Sequence, residues 1–378
     1  MKRSILFLVA FLVTGILGAQ ITVTDSTFPA TGDTLRSAVD LTPSSIEITA
    51  SGGPFDWDYS SLVVGLQNEA VFLDASDGSV VADLPAATHV VIEELTGTET
   101  YYRVTNEEVE LLAANGSDPT GFGISTLFQF SPPILERRAP MDYPSNNMTE
   151  SNLSISLAWA DLPPILTDSL PVPFTPDSIR VRIINDRNDF VDAYGTLTIP
   201  GGSYEVLREK RTTFTDTRVE ILLGFIGWQD VTDVLGDFGG GGLGQDTTYT
   251  YGFYSATEKE PIAVVTTDAD DNPESVTFKD NGLLSSDRET IQNQPSVALM
   301  PNPVSTIVDF NFNHFPKGNY SVGIYGGFGQ LVLDRLINLS GSSHRESLDL
   351  SPLASGQYFY FVRNEKGEPV TSGKLMKY

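Results

Sequence analysis

Thr306-Ile307-Val308-Asp309-Phe310-Asn311-Phe312 places Val308, Phe310 and Phe312 on one side of an extended chain and Asp309 and Asn311 on the other. Successive side chains of an extended backbone point to opposite sides, so this alternation marks a strand with one buried face. Similar short apolar runs recur at 320–325, 330–336, 347–350, 358–363 and 370–377, separated by Gly, Pro, Asn and Ser clusters. Runs of that length at strand-plus-turn spacing predict a small antiparallel sandwich. None of them has the 3.6-residue period of a helix.

The punctuation between the runs has its own chemistry. Pro301-Asn302-Pro303 fixes φ at two of three positions, and Gly318 and Gly356 stand where a chain reversal needs a residue tolerant of positive φ. In order, the tail reads Met300-Pro301-Asn302-Pro303, then Gly318-Asn319-Tyr320, then Tyr325-Gly326-Gly327-Phe328-Gly329-Gln330-Leu331-Val332. Leu350-Ser351-Pro352-Leu353-Ala354-Ser355-Gly356-Gln357-Tyr358 follows, and Gly373-Lys374-Leu375-Met376-Lys377 ends it. This series resembles the C-terminal sorting domain (type A) of the type IX secretion system. The resemblance implies a small Ig-like β-sandwich over 295–378 and a signal carried by Pro301, Asn302, Pro303, Gly318, Tyr320, Gly356, Tyr358 and Lys374. It also implies type IX secretion machinery as partner, and delivery through the periplasm to the outer-membrane surface or the extracellular space.

The other end of the chain agrees. Met1-Lys2-Arg3 is a basic start, Ile5 to Leu17 is an apolar core of thirteen residues, and Ala19 offers a small residue for cleavage. This predicts a signal peptide over 1–19, the core being shorter than the span of about 20 residues that a membrane helix needs. No later stretch approaches that length, so no transmembrane segment is expected after cleavage. Cysteine is absent. The chain can therefore be neither a lipid-anchored lipoprotein nor a disulfide-stapled scaffold, and must fold by burial alone.

Charge is concentrated between the two signals. Residues 20–294 hold 14 basic against 43 acidic side chains, while 295–378 is nearly balanced. Such a surface repels nucleic acid and anionic lipid, which removes both from the expected partners.

Residues 20–283 read as one β-rich domain, a large antiparallel sheet or sandwich, followed by a polar linker at 284–294. Alternation predicts strands at 21–29, 45–50, 89–94, 98–106, 109–113, 124–130, 179–184, 189–199, 204–214, 217–228, 247–255, 261–267 and 273–279. Ser131-Pro132-Pro133 and the prolines up to Pro176 lack ladder donors and predict connections or edges. Tyr194 to Lys210 resembles a hairpin that recurs in secreted proteins bearing the same sorting domain, and carries no catalytic residue. Residues 228–237 predict a short helix. In Gly52 to Leu62, Phe55, Trp57 and Tyr59 form either an edge plug or an exposed sugar-stacking platform, two readings that differ in the burial of Trp57.

Missing residues constrain the chemistry further. His314 and His344 lie in the tail, which leaves His89 as the one imidazole of the cargo, in a strand-like stretch and with no Gly-x-Ser-x-Gly in the chain. The glycine run at 239–244 lacks the Lys-Ser/Thr of a phosphate loop. No cofactor is expected. Asp268, Asp270, Asp271, Asn272 and Glu274 gather oxygen ligands as calcium requires, without the central glycine and distal glutamate of an EF-hand loop; a plain acidic hairpin turn is the other reading. These observations predict a secreted or cell-surface binding protein without catalytic residues, its ligand unknown, with a glycan or a protein as the candidates. A carbohydrate-acting or other hydrolase and a structural coat component are the alternatives.

Overall fold

The computed structural model describes residues 21–93, 97–116, 126–162, 175–236, 243–282, 295–300, 302, 304–325, 331–339, 341, 343–353, 356–366 and 369–377. The expected signal peptide 1–19, the linker 284–294, Pro301, Pro303, the 326–330 segment and most of the glycine run lie outside them, as do 163–174, with Pro163, Pro164, Pro171 and Pro173 of the proline cluster. The chain is all-β. Among the described residues no helix is long and apolar enough to cross a membrane.

The large antiparallel sheet closes on itself. Its ring consists of β1 (Thr34–Asp40), β3 (Leu66–Asp74), β4 (His89–Ile92), β5 (Glu99–Val104), β6 (Glu108–Asn115), β7 (Leu127–Arg138), β8 (Ser145–Ala158), β9 (Ser178–Ile199), β10 (Gly202–Leu223), β12 (Gly244–Ser255), β13 (Ala263–Thr267) and β14 (Pro273–Lys279). Each pairs antiparallel with the next, and β14 returns to β1 from Ser37↔Lys279 to Asp40↔Val276. Closure removes the free edges that an open sheet of this size would expose. Two short strands branch outside the ring: β2 (Gly52–Asp58) runs parallel to β9, and β11 (Gly227–Asp230) lies on β10.

The hairpin of β9 and β10 pairs over its full length and is the backbone of the ring. Its register slips by one residue at Asp192, opposite Arg208 and Glu209. A bulged residue reverses the phase of the two-residue alternation beyond it. Before the slip Ile179, Val181 and Ile183 are buried against one core, with Leu153, Phe128, Val219 and Ile221 on their neighbours, and Val191 is buried with Val23, Met141, Leu207 and Tyr254. Beyond it Ala193, Leu197 and Ile199 bury the opposite face against Trp57, Tyr59, Phe253 and Phe278. β2 approaches β9 so closely that a Cβ on Gly195 would sit 2.0 Å from the Phe55 carbonyl oxygen, and one on Gly53 would sit 2.3 Å from that of Tyr194. Only glycine allows that approach.

Several local expectations need correction. Ser131-Pro132-Pro133 lies inside β7 rather than in a connection: its ladder to β6 is interrupted between Gln129 and Ile134, where no donor is called for. Residues 45–50 form no strand, although Ile46 and Ile48 pack into the core, and 21–29 contributes one bridge, Val23↔Met141, and a 3-10 turn at Asp25–Thr27. The predicted helix at 228–237 divides into β11 and a single turn at Thr232–Gly236.

The tail is a separate sandwich of two sheets. One holds β15 (Ser296–Met300), β16 (Ile307–Asn313) and β19 (Ser343–Asp349); the other holds β17 (Gly318–Tyr325), β18 (Leu331–Leu339), β20 (Gly356–Arg363) and β21 (Pro369–Lys377). Val308, Phe310 and Phe312 are each 0% exposed and meet Val322, Ile324, Val362 and Leu375 between the sheets, as the alternation of 306–312 predicts.

Candidate functional site

A cavity of about 270 Å³ lies inside the ring, lined from β1, β3, β5, β6, β7, β10, β12 and β13 and by Pro29, Lys259 and Pro261. Leu35, Phe72, Val109 and Val264 form its apolar wall; Glu136, Arg137, Glu209, Arg211, Tyr102 and Tyr254 supply polar groups. Adjacent residues of a strand ordinarily face opposite ways, yet both Glu136 and Arg137 reach this cavity. The register between β6 and β7 explains it: Val109 pairs with Arg137 and Glu110 with Leu135, leaving Glu136 as a bulged residue that re-aims its neighbour.

Arg211 is the hub of the charges. Its Nε donates to Asp189 Oδ1 at 2.9 Å, and one terminal nitrogen donates to Glu209 Oε1 at 3.1 Å and to the Glu136 carbonyl at 3.0 Å. The other terminal nitrogen lies 3.9 Å from Glu136 Oε2. Arg187 holds the second oxygen of Asp189 at 2.9 Å, and Lys259 pairs with Asp33. Burial pushes the Glu209 carboxyl up, and nearby Asp189 adds to the rise against the pull of Arg211. Burial likewise raises the Tyr254 hydroxyl to about 12. Arg137 differs from the other cations. It donates to the carbonyls of Thr27 and Lys259 and to the Thr27 hydroxyl, and packs over Phe28 and Tyr254, with no carboxylate in ion-pair distance among the described residues. Burial lowers its pKa.

The other residues singled out from sequence sit elsewhere. His89 Nδ1 lies 2.8 Å from Thr88 Oγ1 and its ring packs against Phe72; burial lowers its pKa against the pull of Asp74 and Asp33. Trp57 is 4% exposed, edge-on to Phe253 at 5.1 Å, and its Nε1 donates to Thr49 Oγ1. That burial is what the plug reading requires and leaves no face for a sugar. Asp268 to Asn272 form the β13–β14 turn, and Glu274 lies in β14. Asp268 accepts from the Asp270 and Asn272 backbone and from Asn272 Nδ2, while Asp271 turns away to Tyr251 and Lys210. Among the described residues no three His, Cys, Asp or Glu side chains group as metal ligands.

In the tail, Asn302 joins the chain before β16 to β21: its Nδ2 donates to the Lys374 carbonyl at 3.1 Å and its Oδ1 accepts from Met376 N at 2.8 Å. Tyr320 is buried on Phe315, its hydroxyl donating to Pro316 O, and Tyr358 is 8% exposed. Gly356 has φ +158°, whereas Gly318 does not adopt positive φ, contrary to the turn role expected of it. Lys374 Nζ reaches Glu93 of the ring at 3.5 Å. Residues 298–377 match the family described as the secretion system C-terminal sorting domain. The chain carries a type IX sorting domain. Such a domain marks its cargo for the cell surface or the extracellular space and for contact with the type IX machinery.

Among solved structures, the chain is similar to dimeric latent PorU from Porphyromonas gingivalis at 13% identity and a TM-score of 0.22. The match covers 93% of this chain and 30% of that one, so the chain spans about a third of the length of its match. No curated protein matches. Sequence reading missed the cavity and its charges, because Arg137 and Arg211 lie about seventy positions apart and face each other only after ring closure. The signal available was weak: a run of basic residues, Arg208, Lys210 and Arg211, in a chain with a large acidic excess.

Proposed function

We propose that this sorting-domain protein is a binding protein without catalytic residues, carried through the periplasm to the cell surface or beyond. The observation that supports binding over hydrolysis is the state of the polar groups around the internal cavity. A hydrolase needs a free acid or base beside a reacting bond. Glu136 and Glu209 are both tied to Arg211, and the cargo's lone imidazole is half-buried against Phe72 and Thr88. Groups so committed hold a ligand more readily than they transfer protons.

The experiment is glycan-array binding by the mature chain, 20–378, with analysis of the medium for released products. Retention of a glycan without new reducing ends supports the reading; release of reducing ends overturns it in favour of the hydrolase. Export is tested separately by deleting 297–378 in the producing cell. The cargo should then accumulate folded in the periplasm, because the cut lies beside a polar linker.

A further inference from the structure

We propose that a second cavity inside the ring binds a small neutral polyol, held by a patch of hydroxyl and amide side chains on β8, β9 and β10. This deepens the binding reading above and rests on it.

The patch follows from register. Thr149 and Thr213 flank Arg187 on the neighbouring strands, and Ser151 and Thr215 flank Asn185, so two adjacent rows of three polar side chains cross the inner face. Residues two apart on a strand share a face, and this one continues into Leu153 and Ile183 of the apolar core. Inward positions of a closed sheet are ordinarily filled by apolar side chains. Here they border a cavity of about 200 Å³, which meets the larger one at Glu136 and Arg211.

The two rows differ in what they leave open. The Asn185 row bonds to itself: Asn185 Nδ2 donates to Ser151 Oγ at 3.3 Å, and Asn185 Oδ1 accepts from Thr215 Oγ1 at 2.8 Å. In the Arg187 row, Nε and one terminal nitrogen of the guanidinium serve Asp189 and the Leu135 carbonyl, while the hydroxyls of Thr149 and Thr213 have no hydrogen-bond partner among the described residues. Both threonines line the cavity and are half-buried, and neither hydroxyl is sealed off from it. A hydroxyl both donates and accepts, so this pair and Ser151 suit a guest whose own groups do the same.

Charge and size narrow the guest. Around the two cavities Arg137, Arg187, Arg211 and Lys259 equal Asp33, Asp189, Glu136 and Glu209 in number, so an ion would enter without a counter-charge. An apolar guest would strand the hydroxyls. At roughly 30 Å³ of liquid volume per water, about 200 Å³ corresponds to about seven heavy atoms. Glycerol and erythritol bracket that size.

The test is calorimetric titration of the mature chain with erythritol, against butane-1,4-diol and tartrate, which keep the four-carbon skeleton but remove hydroxyls or add charge. Erythritol should bind saturably at one site, and the diol and tartrate more weakly. Thr149→Val and Thr213→Val keep the branched shape suited to a strand and should each weaken erythritol roughly 2- to 10-fold, the equivalent of one neutral hydrogen bond. Thr212→Val, on the opposite face of β10, should leave the affinity unchanged. The proposal is overturned if erythritol shows no saturable binding, the cavity then holding water only, or if the diol or tartrate binds as tightly. Unchanged affinity in both folded threonine variants overturns it too, as does an equal loss in Thr212→Val; should one inner variant not fold, the other decides. A glycan retained on the array with no erythritol bound would sink this proposal and leave the binding reading intact. Released reducing ends would sink that reading and not the polyol site.

Discussion

Arg208→Met should be among the most damaging single substitutions in the cargo. Arg208 is 1% exposed and Asp192 3%, and they meet in a two-pronged pair, Nε to Oδ1 at 2.8 Å and a terminal nitrogen to Oδ2 at 2.7 Å. The guanidinium also satisfies the carbonyls of Thr49 and Ala50 and lies over Tyr251 at 5.1 Å. Removing it leaves a buried carboxylate with only Ser51 as donor, at 3.1 Å, and strands two carbonyls. Breaking a buried pair from one side costs about 3–5 kcal/mol. At roughly 2–4 °C per kcal/mol for a domain of this size, the melting temperature should fall by roughly 6–20 °C. Adding Asp192→Leu removes the stranded charge, so the double variant should recover most of the loss, because an apolar pair of similar volume is often neutral. The assay is thermal melting of wild type, both single variants and the double, closing a double-mutant cycle. A single Arg208→Met loss below about 1 kcal/mol, or a double variant no better than the single, would refute the claim that this pair needs both members.

Trp57→Ala should cost about 3–5 kcal/mol, since it empties a site against Phe55 and Phe253, and an unchanged melting curve would contradict the plug. Glu209 has a folded pKa raised by burial above its ordinary 4.5, so the folded state keeps its proton longer than the unfolded one does. Its contribution to stability should therefore be fully present below pH 4.5 and be lost as pH rises through the folded pKa; Glu209→Gln should flatten that slope, and an identical pH profile in the variant counts against it. Calcium up to millimolar levels should leave the melting temperature unchanged, because Asp268 already serves the backbone of its own turn; an upward shift would establish the site.

The sandwich of the tail was legible because each of its strands is short, single-faced and bounded by turn residues. Val308, Phe310 and Phe312 point inward with no interruption of the alternation, so position in sequence gave position in space. The cargo obeyed the same rule strand by strand, and the hairpin from Tyr194 to Lys210 forms with its turn at Pro200 and Gly201. Closure was not legible. It depends on β14 finding β1 across more than 200 residues, and nothing local in Thr34–Asp40 names its partner. The segment around Ile46 was misread because it packs like a strand while hydrogen-bonding to none. Burial of Ile46 and Ile48 gives it the alternation without a ladder.

The charges of the interior were hidden by a more specific mechanism. Reading a face from alternation assumes an unbroken period of two, and β9 and β7 each carry a bulged residue that breaks it, Asp192 and Glu136. On β9 the insertion hands the buried face from one core to the other, so a single pattern drawn through all 22 residues would assign 193–199 wrongly. On β7 it brings Glu136 and Arg137 to the same side, next to Arg211. Both insertions leave acidic side chains engaged with buried arginines, Asp192 with Arg208 on the outer face and Glu136 with Arg211 within. A bulge tolerates a polar residue where the ladder is already broken, and the acid then stabilises an arginine that the regular sheet could not bury alone.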